Sequence, residues 1–227
     1  DVHSVEEVAP AVDAIASGCA HAQAGAVERM FYMHKRNHPD LRCILSGGAA
    51  LPPEDDPSWS IPSLHALGLM TTMRLTEAVI WPEPFADTDL SRMGRSYEAA
   101  FTRPPKWDSS KAAFEWDGDP WWVNGIGHAL FGSELYLRAR TCKNSILPAL
   151  AFTAISSTVW EYGFEANGVR PSGLDLWYTP AAGLVLGEAR YLGWTLARSI
   201  GDRTWRGVLT GVFDPFGELE RWAGTRC

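Results

Sequence analysis

The chain has 227 residues, 46 % of them hydrophobic, which suits one domain, or one domain plus a fragment, and supplies ample core. Its 20 basic against 27 acidic side chains leave a formal net charge of −7, and no dense Lys/Arg run offsets it, which argues against nucleic acid as a partner. The four cysteines, Cys19, Cys43, Cys142 and Cys227, lack Cys-x-x-Cys spacing, which excludes a zinc ribbon while permitting two disulfides.

From the N-terminus, Ala9 to Met33 is an Ala-rich helical pattern, Leu41 to Leu45 a short strand-like run, and Ser46-Gly47-Gly48 a turn. The sequence opens at Asp1 without an initiator Met or a signal-type apolar run, so the expectation is a processed or truncated N-terminus. Residues 52–62, beginning Pro52-Pro53-Glu54-Asp55-Asp56-Pro57, read as a linker. Ser63 to Trp81 has helical periodicity, stopped by Pro82 and Pro84. Glu83 to Asp119 reads as irregular, with Pro104-Pro105 in its middle. Three further helices are expected over about Trp121 to Arg140, Ser145 to Ala166 and Pro180 to Ile200, with Thr179 as N-cap and Pro180 at the first helical position of the last. The tail from Thr204 is amphipathic or irregular.

The fold expected is mainly α: a bundle of about four helices at 63–203, either soluble or membrane-associated, preceded by a small α/β fragment at 1–51 and followed by a tail at 204–227. The longest stretch without charge, Asn144 to Trp160, is borderline for a spanning helix, which needs about 20 predominantly apolar residues. It reads either as a buried core helix or as a membrane-embedded or interfacial one. Eleven tryptophans, several beside Asp, Arg or Pro, suit a pocket rim or a membrane interface.

Between Trp116 and Glu188 single polar residues interrupt apolar, small-residue-rich segments: Asn124, His128, Glu134, Glu161, Glu165, Asp175 and Glu188. An ionisable group among apolar neighbours is costly without a partner, so these groups are expected to meet. Asn124 with His128, Glu161 with Glu165, and Glu134 with Arg138 stand four apart, so each pair shares a helix face. Glu134 with Arg138 reads as a surface ion pair. His128 is either a core imidazole or a functional group. Glu161 and Glu165 would repel unless a cation, a proton or an arginine, with Arg170 and Arg190 the candidates, sits between them. Gly183 and Gly187 leave a groove for a closely packed helix. Pro171-Ser172-Gly173 with Asp175 reads as a turn and helix entry. If Asp175 points inward instead, it joins His128 and the Glu pair in a carboxylate-rich site able to bind a divalent metal or share a proton.

Two segments resemble known families. Residues Asp13 to Ala50, with AIASGCAHAQAGAVERM and then CILSGGAA, resemble the C-terminal part of type III pantothenate kinases of the acetate kinase/heat-shock-protein-70 superfold. That resemblance implies roles in the substrate and nucleotide clefts for Ser17, Gly18, Gly47 and Gly48, where glycine lets backbone approach a ligand. The family's threonine before this helix falls on Ala11 here. The second resemblance rests on Trp116-Asp117-Gly118-Asp119, Asn124-x-x-Gly127-His128, Gly132-Ser133-Glu134-x-Tyr136, Arg138-Ala139-Arg140, Ser157-x-x-Trp160-Glu161, Glu165, Pro171-Ser172, Asp175-Leu176, Thr179-Pro180 and Gly183-x-x-x-Gly187-Glu188. In order and spacing these resemble the bacterial domain of unknown function 3943 family. That family has no assigned activity, and the resemblance implies an envelope location, periplasmic or membrane-associated. The layout is also loosely similar to VanZ-like membrane domains.

Three functions follow as expectations. One is an envelope domain whose polar cluster is a buried network, structural or binding a lipid, a membrane surface or a partner protein. Another is a metal-dependent or general acid/base hydrolase of an envelope substrate, with His128, Glu161, Glu165 and Asp175 as catalytic candidates and Asn124, Glu134, Tyr136, Ser172 and Glu188 as substrate-binding candidates. The third is a pantothenate kinase remnant fused to this domain, which would place it in the cytoplasm.

Overall fold

The computed structural model describes residues 57–225 and 227, which belong to one compact unit. The expected α/β fragment, with Ser17, Gly18, Gly47 and Gly48, lies outside the described residues. The described residues form a helical bundle: α1 (Ser60–Ile80), α2 (Pro82–Phe85), α3 (Leu90–Thr102), a π-helical segment π1 (Val123–Gly127) running into α4 (His128–Thr141), α5 (Ile146–Val159) running into π2 (Trp160–Glu165), α6 (Asp175–Arg198), α7 (Arg203–Phe213) and α8 (Pro215–Trp222).

Helix α4 is the hub. Every residue from Phe131 to Ala139 is buried, and α1, α5 and α6 pack around it. Residues free of bulk decide how close α6 comes. A Cβ on Gly132 would collide with the carbonyl of Thr179, one on Gly183 would stand 2.7 Å from the carbonyl oxygen of Gly132, and one on Gly187 would stand 2.7 Å from the Tyr136 ring. The groove expected from Gly183 and Gly187 is therefore filled by α4. On the other side, Ala66 and Met70 of α1 meet Phe131 and Leu135 of α4 and Trp160 of π2 in one apolar cluster. Trp160 lies 5.8 Å from the Phe131 ring and 6.0 Å from Phe164, and truncating so buried a ring costs about 3–5 kcal/mol.

Two expectations about elements are corrected, and the tail takes the first of its two readings, amphipathic rather than irregular. The segment expected to be irregular contains α3, started by Asp89, whose carboxylate accepts from the backbone N–H groups of Ser91 and Arg92. The tail contains α7 and α8, capped in the same way by Asp202 and Asp214. Helix α6 begins at Asp175, so Thr179 is no N-cap and Pro180 sits inside the helix. Proline there removes the N–H that would bond the Leu176 carbonyl. The helix continues because Asp175 and Thr179 are held on its buried face by partners outside α6.

Cys142, at the end of α4, forms a disulfide with Cys227. The link closes a sequence separation of 85 residues.

Candidate functional site

Both π segments border one polar centre. A π turn adds a residue to the helical repeat and swings the following side chains out of ordinary register, and such turns concentrate at functional sites. Here π1 carries Asn124 and delivers His128 at the start of α4, while π2 carries Glu161 and Glu165. Helix α6 contributes Asp175 and Thr179. Ligand atoms of His128, Glu161 and Asp175 all lie within 4.8 Å of one another, and Glu161 and Asp175 are each only 1 % exposed.

The loop before π1 closes the centre. Lys106 donates its N–H to the Pro171 carbonyl at 2.8 Å and accepts from the Gly173 N–H at 2.9 Å, pinning the 103–120 segment against residues 171–173. Asp117 is thereby brought onto Ser172 and Asn124. It accepts from Ser172 Oγ (2.5 Å), Asn124 Nδ2 (2.7 Å) and the Asp119 N–H (3.0 Å). Ser172 also donates its N–H to Glu161 Oε2 at 2.7 Å and accepts from the Asp175 N–H at 3.2 Å. Ser172 thus couples two carboxylates, those of Asp117 and Glu161, to the backbone of Asp175. His128 Nδ1 pairs with Thr179 Oγ1 at 3.0 Å and stands 3.6 Å from Asp175 Oδ1.

Among the described residues, Glu161 Oε1, Asp175 Oδ1, Asn124 Oδ1 and Glu77 Oε2 are buried and have no hydrogen-bond partner. Buried polar atoms are normally satisfied, so a group of unsatisfied acceptors at one centre calls for a ligand.

Electrostatics follow the same logic. Burial lowers the His128 pKa to about 4, against the opposing charge of Asp117, so the imidazole is neutral at pH 7. Burial raises Asp175 to about 8, with the Ser172 hydrogen bond opposing and the charge of Asp117 adding. Glu161 is pushed well above the usual carboxylate range by burial and then by the charges of Glu165 and Asp175. Glu165, half-buried, is raised by burial and by Glu77, Asp119 and Asp175. Burial lifts Glu77 to about 7 although Arg74 pulls it down. For Asp117 burial acts upward, yet the hydrogen bonds from Ser172, Asp119 and Asn124 outweigh it and hold the carboxyl below its ordinary value. Asp117 alone is well solvated by protein donors. The others are acids whose burial and mutual repulsion outweigh the pull of Arg74 on Glu77 and of Lys106 on Glu165.

Of the expected site residues, His128, Glu161, Glu165, Asp175, Ser172 and Asn124 belong to this centre. The expected turn and helix entry is present, with Ser172 Oγ accepting from the Asp175 N–H as α6 begins, and the Asp175 side chain points inward toward His128 as well. Tyr136 and Glu188 pair elsewhere: Tyr136 Oη donates to Glu188 Oε2 at 2.7 Å, and Arg140 Nε meets the same oxygen at 2.9 Å. Glu134 is not in a surface pair. It is 4 % exposed, bonded by Arg190 Nη2 at 2.7 Å and Arg138 Nη2 at 3.3 Å, and Arg138 in turn holds the fully buried Asp214 at 2.8 Å. Arg190 therefore does not sit between Glu161 and Glu165. The missed members are Asp117, Asp119, Thr179 and Glu77. Asp117 and Asp119 stood in the Trp-Asp-Gly-Asp motif beside Trp116, whereas Glu77 sits on α1 with no local signal to set it apart.

Comparison with known proteins finds two partial similarities, one of which overlaps this centre. Residues 113–216 match the model of a protein family described as "Domain of unknown function (DUF3943)". All the centre's residues except Glu77 fall inside that stretch. Separately, the chain is 63 % identical over 38 residues to a type III pantothenate kinase of Aromatoleum aromaticum, covering 17 % of this chain and 15 % of that protein. It is 59 % identical over 39 residues to that of Herminiimonas arsenicoxydans, covering 16 % and 15 %, and 52 % identical over 50 residues to that of Azoarcus sp., covering 22 % and 19 %. The chain thus spans under a fifth of the length of these curated relatives. No solved structure matches.

Proposed function

We propose that the 55–227 unit is a divalent-cation-dependent hydrolase of the cell envelope, with His128, Glu161 and Asp175 as the cation ligands. The observation that carries this is the convergence of one neutral imidazole and two carboxylates within 4.8 Å, with Glu161 Oε1 and Asp175 Oδ1 unpartnered. One imidazole with two carboxylates suits a hard or borderline ion such as Mn²⁺ or Zn²⁺. Bound there, the cation would supply Lewis acidity to a water molecule or a substrate oxygen.

The chain's own residues do the rest. Ser172 and Thr179 orient the ligands: Ser172 fixes Glu161 Oε2 through its N–H, and Thr179 fixes the His128 ring through Nδ1. Asp117, ionised and triply hydrogen-bonded, anchors Ser172 and Asn124. Glu77 titrates near 7, and its charge raises Glu165, which suits this pair to accept and return a proton. The Cys142–Cys227 disulfide supports an oxidising compartment such as the periplasm.

The test is a screen of the full chain, with and without Mn²⁺ or Zn²⁺, on chromogenic esters, amides and phosphoesters. Cation-dependent turnover abolished in Glu161→Gln is the expected result. Cation-independent turnover, or turnover unchanged in Glu161→Gln, would remove the assignment.

A second reading is favoured by the 63 % identity over 38 residues to a type III pantothenate kinase. It holds that the N-terminal segment retains affinity for ATP or pantothenate at Ser17, Gly18, Gly47 and Gly48. Calorimetry of the full chain with either ligand decides it, heat of binding supporting the reading and none removing it.

A further inference from the structure

Beside the apolar clusters of its core, the bundle buries many polar groups. Its interior holds Asp117, Asn124, Glu134, Arg138, Glu161 and Asp214, while large apolar side chains stand outward on α1, α5 and α6. On α1 the outward face carries Leu64, Leu67, Leu75, Val79 and Ile80, exposed by 52–82 %, and no charged residue. The ionisable groups of α1 turn inward. His65 pairs with Glu134 and Glu220, Arg74 donates to the carbonyls of Phe85 and Phe164, and Glu77 faces the candidate site. Helix α5 carries no charge at all, and Leu147 and Ile155 are its most exposed large apolar residues, at 75 % and 64 %. On α6 the outward residues Val185, Leu192 and Leu196 are joined by a charge only at Arg198, in its last turn.

A second observation concerns the hydroxyls on these faces. Thr71, Thr72 and Thr76 on α1, Thr158 on α5 and Thr195 on α6 each donate to the carbonyl four residues earlier, at 2.7–2.9 Å. Such back-bonding leaves no donor that requires water. A third concerns the ends of α1, where Trp59 and Trp81, each 41 % exposed, stand as amphipathic rings do at a boundary between water and an apolar phase.

We infer that the uncharged outer faces of α1, α5 and α6 contact lipid acyl chains. A face without charge, whose threonine hydroxyls are already bonded within the helix, offers a protein partner no charged anchor, whereas acyl chains need none. The inference is one of contact and not of crossing: among the described residues no helix is long and apolar enough to cross a membrane. It is independent of the cation site.

The test is flotation of the full chain with uncharged phosphatidylcholine vesicles, which removes any headgroup attraction for its charges, combined with tryptophan quenching by acyl-chain-brominated lipid. Most of the protein floating, with its fluorescence quenched, is the expected result. Leu75→Glu and Ile155→Glu, each placing a charge on an outer face, should weaken partition on the order of 100-fold. Wild-type protein that stays monomeric at the bottom of the gradient with unquenched fluorescence overturns the inference. So does a discrete lipid-free oligomer that buries these faces, because the occupant is then a second copy. The wild-type measurement stands even if a variant fails to fold.

Discussion

His128 Nδ1 stands 3.6 Å from Asp175 Oδ1, across the seam between α4 and α6 and beyond hydrogen-bonding distance, while the same nitrogen is engaged by Thr179. Asp175 Oδ1 is thus left facing the imidazole and Glu161 with nothing bound to it. Replacing Asp175 with Asn should leave the fold intact, because a neutral amide is less costly than a buried carboxylate. It should lower cation affinity by at least tenfold, read by calorimetry with Mn²⁺. Unchanged affinity would show that Asp175 is not a ligand.

Ser172 acts through others, bonding Asp117, Glu161 and the Asp175 N–H. Ser172→Ala keeps the backbone donor to Glu161 and removes only the hydroxyl. A loss of about 10–100-fold in cation affinity is expected, as for other orienting partners of metal ligands. Calorimetry beside a thermal melt separates this loss from simple destabilisation.

The cation-free protein should lose stability between pH 6.5 and 8. Asp175 and Glu77 have folded pKa values near 8 and 7, raised above the ordinary 3.8 and 4.5. Over this window the native state holds protons that the unfolded chain has released, so unfolding free energy falls as pH rises, by on the order of 1 kcal/mol. Below this window His128 acts oppositely. Its folded pKa of about 4 lies under the unfolded 6.5, and its contribution is lost as pH falls toward 4. Melting in EDTA at pH 6.5 and 8, then at pH 8 with Mn²⁺, checks both the loss and its reversal by the cation.

How much of this was legible in sequence depends on whether a residue's role is local. The helical class, the α1, α4, α5 and α6 segments and the Gly183/Gly187 groove follow from periodicity and from small residues four apart, and the structure contains all of them. Asp89 and Asp202 are local caps and could have been found as acidic residues preceding short helical runs. Pro180 misled because a Thr-Pro pair does start many helices, whereas here the Thr179 hydroxyl is occupied by His128. Glu134 looked like half of a surface pair because i, i+4 spacing carries no information on burial. Only the long-range arrivals of Arg190 and Asp214 reveal its network, and the placement of Glu77 is likewise set by tertiary packing.

The Arg138–Asp214 contact at the other end of α4 is structural. Asp214 is fully buried and bonded by Arg138, Arg221 and the Gly217 N–H, and although burial acts to raise its pKa, the arginines hold it below the ordinary value. Asp214→Ala removes the shortest carboxylate contact of the buried Arg138, leaves it Glu134 and Glu220 at 3.3 Å, and uncaps α8, so a loss of about 3 kcal/mol in chemical denaturation is expected, with cation affinity unchanged.

At the α4–α6 seam, Gly183→Ala forces a methyl against the Gly132 carbonyl, where neither backbone can yield. Overpacking there should cost about 1–3 kcal/mol, and it should weaken cation binding as well, because Thr179 and Asp175 ride on the same helix. A melt and a titration of the one variant check both.

The most direct measurement is the cation content of the full chain after equilibration with Mn²⁺ or Zn²⁺ and exhaustive dialysis, by elemental analysis, beside the Glu161→Gln variant. One bound cation per chain, lost in the variant, is the expected result. A folded wild-type protein that retains no cation, or a variant that retains as much as wild type, would contradict the assignment of His128, Glu161 and Asp175 as a metal centre.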